Sequence, residues 1–552
     1  MLAWHPILVT IQFLVLLQAS SATSNPRDAR RDQTSNSCDP EVDTPLPDNP
    51  VELFAPFDRP TAHVFRYRTQ RSVNLGGWFV HESWMTPSIF QCASGHKVSE
   101  FDIASGSNAR TILENHWSTF ISESDFSYLS SIGINTVRLP IGYWSLSNPE
   151  FYEGTPFSGF TDVYRNSWSF VVHAINMAAT YNIGVLVDLH GAPGSQNGQP
   201  HSGISDRHVG LFNSPANVEK TLAVLTFLTR TLCNVTNVVG IQVLNEPQDN
   251  TELVDFYTRA IFTMRQVSTA AEAFPIYIHD GFDLMRFSHF IANRTDFVVQ
   301  DHHSYFVFTP LDESKPASQH TKEIETSLSA SLATASANQR GNLVIDEWSC
   351  ALTPKSLSSE PDEAVARQDF CTAQMEVYST TTAGWSFWAY KKEGCDTDPS
   401  WCFTTAVGTS LPSDFFVYTQ SYNSPRSIGL LDPPPMSDVL SKPDASITPS
   451  TPATTPSRGR ASIPFRHRLS TIYYRRSKRD TAEQQSSTKG YSDGFLTAGI
   501  FYEYDGSRLG FTGQYVEDSI QALGPDVIAP GTEGYYRAGF TRGLSDGEAR
   551  LS

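Results

Sequence analysis

Positive charge is scarce in this chain. Lysine and arginine number 40 against 58 aspartates and glutamates, a formal net charge of −18. That balance argues against nucleic acid as the main partner, because phosphate backbones are held by basic surfaces. Cysteine is scarce too: seven in 552 residues, at no spacing that would hold zinc. Long apolar runs are almost missing. The run at 7–17, ILVTIQFLVLL, is too short to span a bilayer, and the small residues Ala19-Ser20-Ser21-Ala22 follow it. A lysine or arginine normally precedes such a run; here there is only His5. The expectation is a cleaved secretory signal over 1–22 and a mature chain with no transmembrane segment. Also lacking is a glycine-rich phosphate turn after the first strand, since NLGG (74–77) runs straight into Trp78.

In an exported chain, seven cysteines allow up to three disulfides and one odd thiol. Cys395 and Cys402 lie close together in one loop, and Cys350 and Cys371 could pair with each other or with that loop. Asn234-Val235-Thr236 and Asn293-Arg294-Thr295 are glycosylation sequons, in keeping with export.

Between 60 and 425, short β-branched runs alternate with helix-compatible stretches. Eight strands are predicted, at 72–80, 134–141, 183–190, 238–245, 275–282, 296–303, 342–348 and 384–390. Most are apolar throughout, as parallel strands covered on both faces must be. The segments between them, such as 167–182 and 216–232, carry helical spacing. Eight such units read most simply as a (β/α)8 barrel with long loops, with a doubly wound sheet as the alternative. The expected order is a loose leader over 23–59, the barrel over 60–431, and a Pro/Ser/Thr-rich, then basic, linker over 432–488. A small extension of two or three short amphipathic helices follows over 489–552. The linker contains Arg476-Ser-Lys-Arg479, shaped like a dibasic processing site.

Two of the apolar runs end on carboxylates: VVGIQVLNEP reaches Glu246, and NLVIDEW reaches Glu347. In a barrel the carboxyl ends of the strands form the rim that carries chemistry. Two facing carboxylates are the minimum equipment for cleaving a glycosidic bond, one protonated to donate to the leaving oxygen and one ionised to attack. Their surroundings must push the two pKa values apart. Asn245 offers an amide for a sugar hydroxyl.

Further stretches strengthen this: NLGGWFVHESWMTPSIF (74–90), HWSTFISESDF (116–126), INTVRLPIGYW (134–144), DLHGAPGSQNG (188–198), LNEP (244–247), DHHSYFVF (301–308), DEWSCALT (346–353) and GWSFWAYK (384–391). Together they resemble the retaining β-glycosidases of glycoside hydrolase family 5, most closely the fungal exo-1,3-β-glucanases, over about residues 60–425. The resemblance implies Glu246 as acid/base and Glu347 as nucleophile, with Arg138 supporting the nucleophile through its fork of donors. It implies His190 and His303 as histidines lining the glucose pocket, and Tyr305 against the nucleophile. Glu82 would grip hydroxyls of the terminal glucose, Trp388 would form the pocket floor, and Phe308 would be half of an aromatic clamp. No metal or cofactor is needed. A monomeric, secreted or wall-associated enzyme is implied, releasing glucose from the non-reducing ends of 1,3-β-glucan.

The chain departs from that pattern at three places. Gln199 stands where a clamp phenylalanine is common, Trp84 replaces a commoner tyrosine, and Asp346 precedes the nucleophile where glycine is usual. The first departure leaves open endo cleavage, 1,6-linkage preference or wall-remodelling transglycosylation. A non-catalytic wall carbohydrate-binding protein is the remaining alternative. Asp346 would raise the Glu347 pKa unless its side chain pointed away.

Overall fold

Eight parallel strands close into a barrel in the order β1 to β8: Gln70–Asn74, Thr136–Gly142, Gly184–Gly191, Val238–Gln242, Ile276–His279, Val298–Ser304, Leu343–Trp348 and Gly384–Phe387. The structure is a computed structural model and describes Cys38, residues 48–418 and residues 481–551. The expected signal segment, most of the leader, Arg476–Arg479 and most of the linker lie outside the described residues. The strand periodicity located all eight strands. Only the first was displaced: residues 75–80 are apolar, yet they leave the sheet and form the loop above β1.

Alternation along each strand sorts its residues between two surroundings. Val137, Leu139 and Ile141 of β2 and Val185, Val187 and Leu189 of β3 face the surrounding helices, among them Ser167–Thr180 and Pro215–Leu232. The other set points into the barrel and changes character with height. Near the amino-terminal end it is apolar, with Leu186, Val239, Tyr277, Val299 and Val344 in one cluster. One step higher it is polar: Arg138, Asp188, Gln242 and Asp301 are all buried there. The polar layer therefore sits on an apolar floor and under the rim.

β7 breaks the alternation. Against β6 the register passes from Asp301↔Val344 to His303↔Glu347, so β7 advances three residues while its neighbour advances two. The same extra residue appears against β8, between Ile345↔Trp385 and Trp348↔Phe387. Such a bulge re-aims a side chain. It lets the consecutive residues Asp346 and Glu347 both meet inward-facing partners.

The segment after the linker is helical as expected, with longer helices and an earlier start than the sequence suggested. Helix begins at Ala482, inside the predicted linker, where the Thr481 side chain accepts from the Gln484 amide. The three helices are Ala482–Tyr502, Thr512–Leu523 and Glu533–Leu551, of 21, 12 and 19 residues, and the first and last pair through glycine rather than through an amphipathic stripe. A Cβ on Gly490 would lie 2.1 Å from the Tyr536 carbonyl oxygen, and one on Gly543 would lie 2.0 Å from that of Tyr491. The glycines that weaken helix propensity here permit the backbones to meet.

These helices and Arg59–Tyr67 close the amino-terminal mouth of the barrel, with Phe65, Tyr67, Phe511 and Phe540 joining the apolar floor. Polar links fix the arrangement: Asn342 Nδ2 donates to Gln514 Oε1 at 2.9 Å, and the Thr69 amide donates to the Arg508 carbonyl at 2.7 Å.

Candidate active site

The site forms around Arg138. Its guanidinium is fully buried on β2, and a cation there must spend every donor on an acceptor. Nη1 donates to Glu347 Oε1 at 2.8 Å and to Asn74 Oδ1 at 2.9 Å, and Nε donates to Gln242 Oε1 at 2.8 Å. Nη2 donates to Asn245 Oδ1 at 2.7 Å and lies 3.0 Å from Asp188 Oδ2. Burial works against this charge, but the carboxylates of Asp188, Glu347 and Asp301 outweigh it and hold the guanidinium firmly protonated. One side chain thereby orients residues from β1, β3, β4 and β7.

Glu347 receives a second donor, the Tyr305 hydroxyl, at 2.8 Å on Oε2. Glu246 stands just past β4 with φ at 41°, in the left-handed region that non-glycine residues seldom occupy. Its Oε1 lies 2.7 Å from His303 Nδ1, and the same nitrogen lies 3.5 Å from Glu347 Oε2. These two oxygens can be no farther apart than the sum of the two distances, about 6 Å. His303 Nε2 is in turn 2.9 Å from Asp301 Oδ2. His201 Nε2 reaches within 3.7 Å of the other Glu246 oxygen.

The charge states reverse the simplest expectation for this carboxylate pair. Burial raises the Glu347 carboxyl to about 7, despite the opposing charges of His303 and Arg138. Burial would also raise Glu246, but the hydrogen bond and charge of His303 hold it well below the usual carboxylate range. His303 itself loses by burial and gains more from Asp301 and Glu347, so its pKa lies well above that of a free imidazole. The 2.7 Å separation of Glu246 Oε1 and His303 Nδ1 is that of a charge-assisted hydrogen bond. At Asp346, burial and the neighbouring Asp301 raise the carboxyl well above the ordinary value.

His190 and Trp388 complete the wall. His190 Nδ1 bonds Asp188 Oδ2 at 2.6 Å, its Nε2 faces Asn245 Nδ2 at 3.3 Å, and its ring lies parallel to the Trp388 indole with centroids 5.7 Å apart. The indole is pressed against Gly76, where an added Cβ would come 2.8 Å from Trp388 Cη2. Gly76→Ala is therefore expected to displace the indole and lower kcat/KM on the order of 10- to 100-fold, at an overpacking cost of about 1–3 kcal/mol. Wild-type kinetics for that variant would show that the indole position does not matter.

Glu82 is half-buried in the loop above β1, near enough to His201, Glu347 and Glu246 to feel their charges, and burial raises its carboxyl. Phe308 stands at the edge, 49% exposed, with its ring 5.5 Å from Tyr305 and 6.3 Å from Trp401. Trp84 packs edge-on against Trp401 at 5.6 Å. The rim is thus a set of indole and phenyl rings, and Trp401 is held there by the Cys395–Cys402 disulfide loop.

Sequence reasoning missed Asp188, Asp301, Gln242, Asn74, His201, His279 and Trp401. For the two aspartates a signal existed: Asp188-Leu-His190 and Asp301-His-His303 both place an acid two residues before a histidine. That spacing puts the pair on one face of a strand, and each pair is hydrogen-bonded. Glu246, His279 and His303 bring one ligand-type atom each within 4.8 Å of one another, the arrangement among the described residues that could hold a metal ion. Both His303 nitrogens already face carboxylates and His279 Nδ1 accepts from the Gly281 amide at 3.0 Å, whereas His279 Nε2 is buried without a hydrogen-bond partner.

Comparison with known proteins follows the geometry. The family model for Cellulase (glycosyl hydrolase family 5) matches residues 97–394. Glucan 1,3-beta-glucosidase 3 of Schizosaccharomyces pombe is 35% identical over 339 residues, covering 59% of this chain and 70% of its own. A probable glucan 1,3-beta-glucosidase A of Aspergillus niger is 31% identical over 394 residues, covering 63% and 88%. The crystal structure titled AoRut is 19% identical and superposes with a TM-score of 0.50, covering 61% of this chain and 94% of that one, a likeness of fold alone. The match spans the strands that carry Arg138, Glu246, His303 and Glu347, and on it the chain belongs to glycosyl hydrolase family 5 and is a glycoside hydrolase.

Proposed function

We propose that this enzyme is an exported, retaining β-glucosidase that removes glucose from the non-reducing ends of 1,3-β-glucan. The observation that carries the reading is the meeting of Glu246 and Glu347 on one His303 nitrogen. Carboxyl groups about 5–5.5 Å apart leave no room for a water between acid and sugar, and such pairs react through a covalent intermediate. Glu347, gripped by Arg138 and Tyr305, is the nucleophile. Glu246 is the acid: as the leaving oxygen approaches, the proton shared with His303 passes through Glu246 to it. The emptied carboxylate then takes a proton from water, which attacks the glycosyl–Glu347 ester. Arg138 and Tyr305 stabilise the carboxylate as it leaves. Asn245, His190, Glu82 and Trp388 bind the glucose ring, with the indole as its platform. The substrate class rests on the relatives, which carry the name glucan 1,3-beta-glucosidase. For the location, no helix among the described residues is long and apolar enough to cross a membrane.

The test is to digest laminarin and follow the anomeric proton signals from the first seconds. β-Glucose is expected first, with the α form growing in by mutarotation. α-Glucose as the initial product would overturn the retaining mechanism, and oligosaccharides without glucose would overturn exo action. A second reading, transfer of glucose to a sugar acceptor, is favoured by the rim of Trp84, Phe308 and Trp401, which offers ring faces beyond the glucose site. In that case the same digestion at high oligosaccharide concentration yields products longer than the substrate.

A further inference from the structure

Two disulfides staple segments next to the proposed site. Cys350–Cys371 anchors the chain three residues past Glu347 to the helix Glu363–Thr381. Cys395–Cys402 closes the loop that carries Trp401. Cys233 is buried beside Ser268 Oγ at 3.7 Å, inside the helical layer and away from any other described thiol contact.

That leaves Cys38 and Cys92. Cys92 belongs to the long loop above β1 that also presents Glu82 and Trp84. The loop folds back on itself: the Ser107 amide donates to the Cys92 carbonyl at 3.2 Å, and Gly106 approaches so closely that a Cβ there would lie 2.3 Å from that oxygen. This fold brings Asn108 beside Cys92, and Asn108 Nδ2 donates to the Cys38 carbonyl at 2.5 Å. The Cys92 thiol is in side-chain hydrogen-bond contact with that of Cys38. Neither residue is fully buried, so an external disulfide can reach both.

We propose that Cys38 and Cys92 form a third disulfide, which ties the segment ahead of the barrel to the loop carrying Glu82 and Trp84. The bond forms by exchange with a disulfide of the oxidising compartment, such as oxidised glutathione. One thiolate attacks a glutathione sulfur and expels a glutathione thiolate; the second thiolate then attacks the mixed disulfide and expels the other. The protein's two thiols lose two protons and two electrons, and one glutathione disulfide becomes two thiols. Burial, and after it the neighbouring Cys38, pushes the Cys92 thiol up to about 11, so the exchange is favoured where an oxidoreductase or mildly alkaline conditions supply the thiolate.

The experiment uses the full chain exported from a eukaryotic host, with accessible thiols alkylated before denaturation and again after it, then digested without reduction. One linked peptide pair containing Cys38 and Cys92 is expected, separating on reduction, with Cys233 as the alkylated residue. Alkyl groups on Cys38 and Cys92 in unreduced protein would overturn the proposal, as would either one linked to Cys233. As a second readout, Cys38→Ser, Cys92→Ser and the double variant are expected to lower the melting temperature by the same amount, since each removes one and the same link. Additive shifts, or none, would overturn it. Laminarin hydrolysis by these variants is expected to persist, which separates this outcome from a failure of the proposed activity.

Discussion

Glu347→Gln is expected to remove glycoside hydrolysis, lowering kcat by roughly 10^4-fold or more, as loss of a nucleophile does when nothing can replace it. Glutamine keeps the length and an acceptor oxygen for Arg138 Nη1, and its amide NH2 can donate to the Tyr305 hydroxyl oxygen in place of accepting from it, so the network that holds the position survives. Circular dichroism and thermal unfolding should therefore match the wild type while laminarin turnover vanishes. The control is the natural exchange of roles: with a good aryl leaving group, Glu246→Gln is expected to retain its first step and stall at the second, whereas Glu347→Gln forms no intermediate. Substantial residual turnover by Glu347→Gln would take the nucleophile role from this residue.

The second large effect concerns Arg138, and it falls on stability as well as rate. Arg138→Ala leaves Asp188 and Glu347 buried beside a void, with Asn74, Asn245 and Gln242 each short of a donor. Breaking a buried ion pair by deleting one partner costs about 3–5 kcal/mol. Loss of position at Glu347 and Asn245 adds a fall in kcat of at least about 10^2-fold. Arg138→Lys is expected to recover part of the stability and little of the rate, because an ammonium keeps the charge without the planar fork. The measurements are denaturant unfolding of both variants and their kcat. Equal stability of Arg138→Ala and wild type would show that the surrounding carboxyls simply take up protons, and that the guanidinium is dispensable to the fold.

Much of this architecture was legible in the chain. Parallel strands in a covered barrel are apolar on both faces, so each announced itself as a continuous run, and each run ended where the rim begins. The ends were legible for the same reason: Glu246 and Glu347 stand out because nothing before them in their runs, except Asp346 beside Glu347, carries charge. The first strand was misplaced because the loop above it, Leu75–Val80, is as apolar as a strand, its residues packing into the core without pairing. The glycine-paired helices were underestimated because glycine counts against a helix in local terms, and its value appears only when a second backbone arrives.

The amino-acid sequence by itself determined the barrel and set a glutamate at or just past the end of two of its strands, since periodicity and strand ends are local properties. Tertiary structure alone decided the rest. The extra residue in β7 turns Glu347 toward His303, one histidine nitrogen lies between the two carboxylates, and burial raises the Asp346 carboxyl. Those outcomes depend on distances across the barrel and on exclusion of water, and the order of residues along one strand encodes neither.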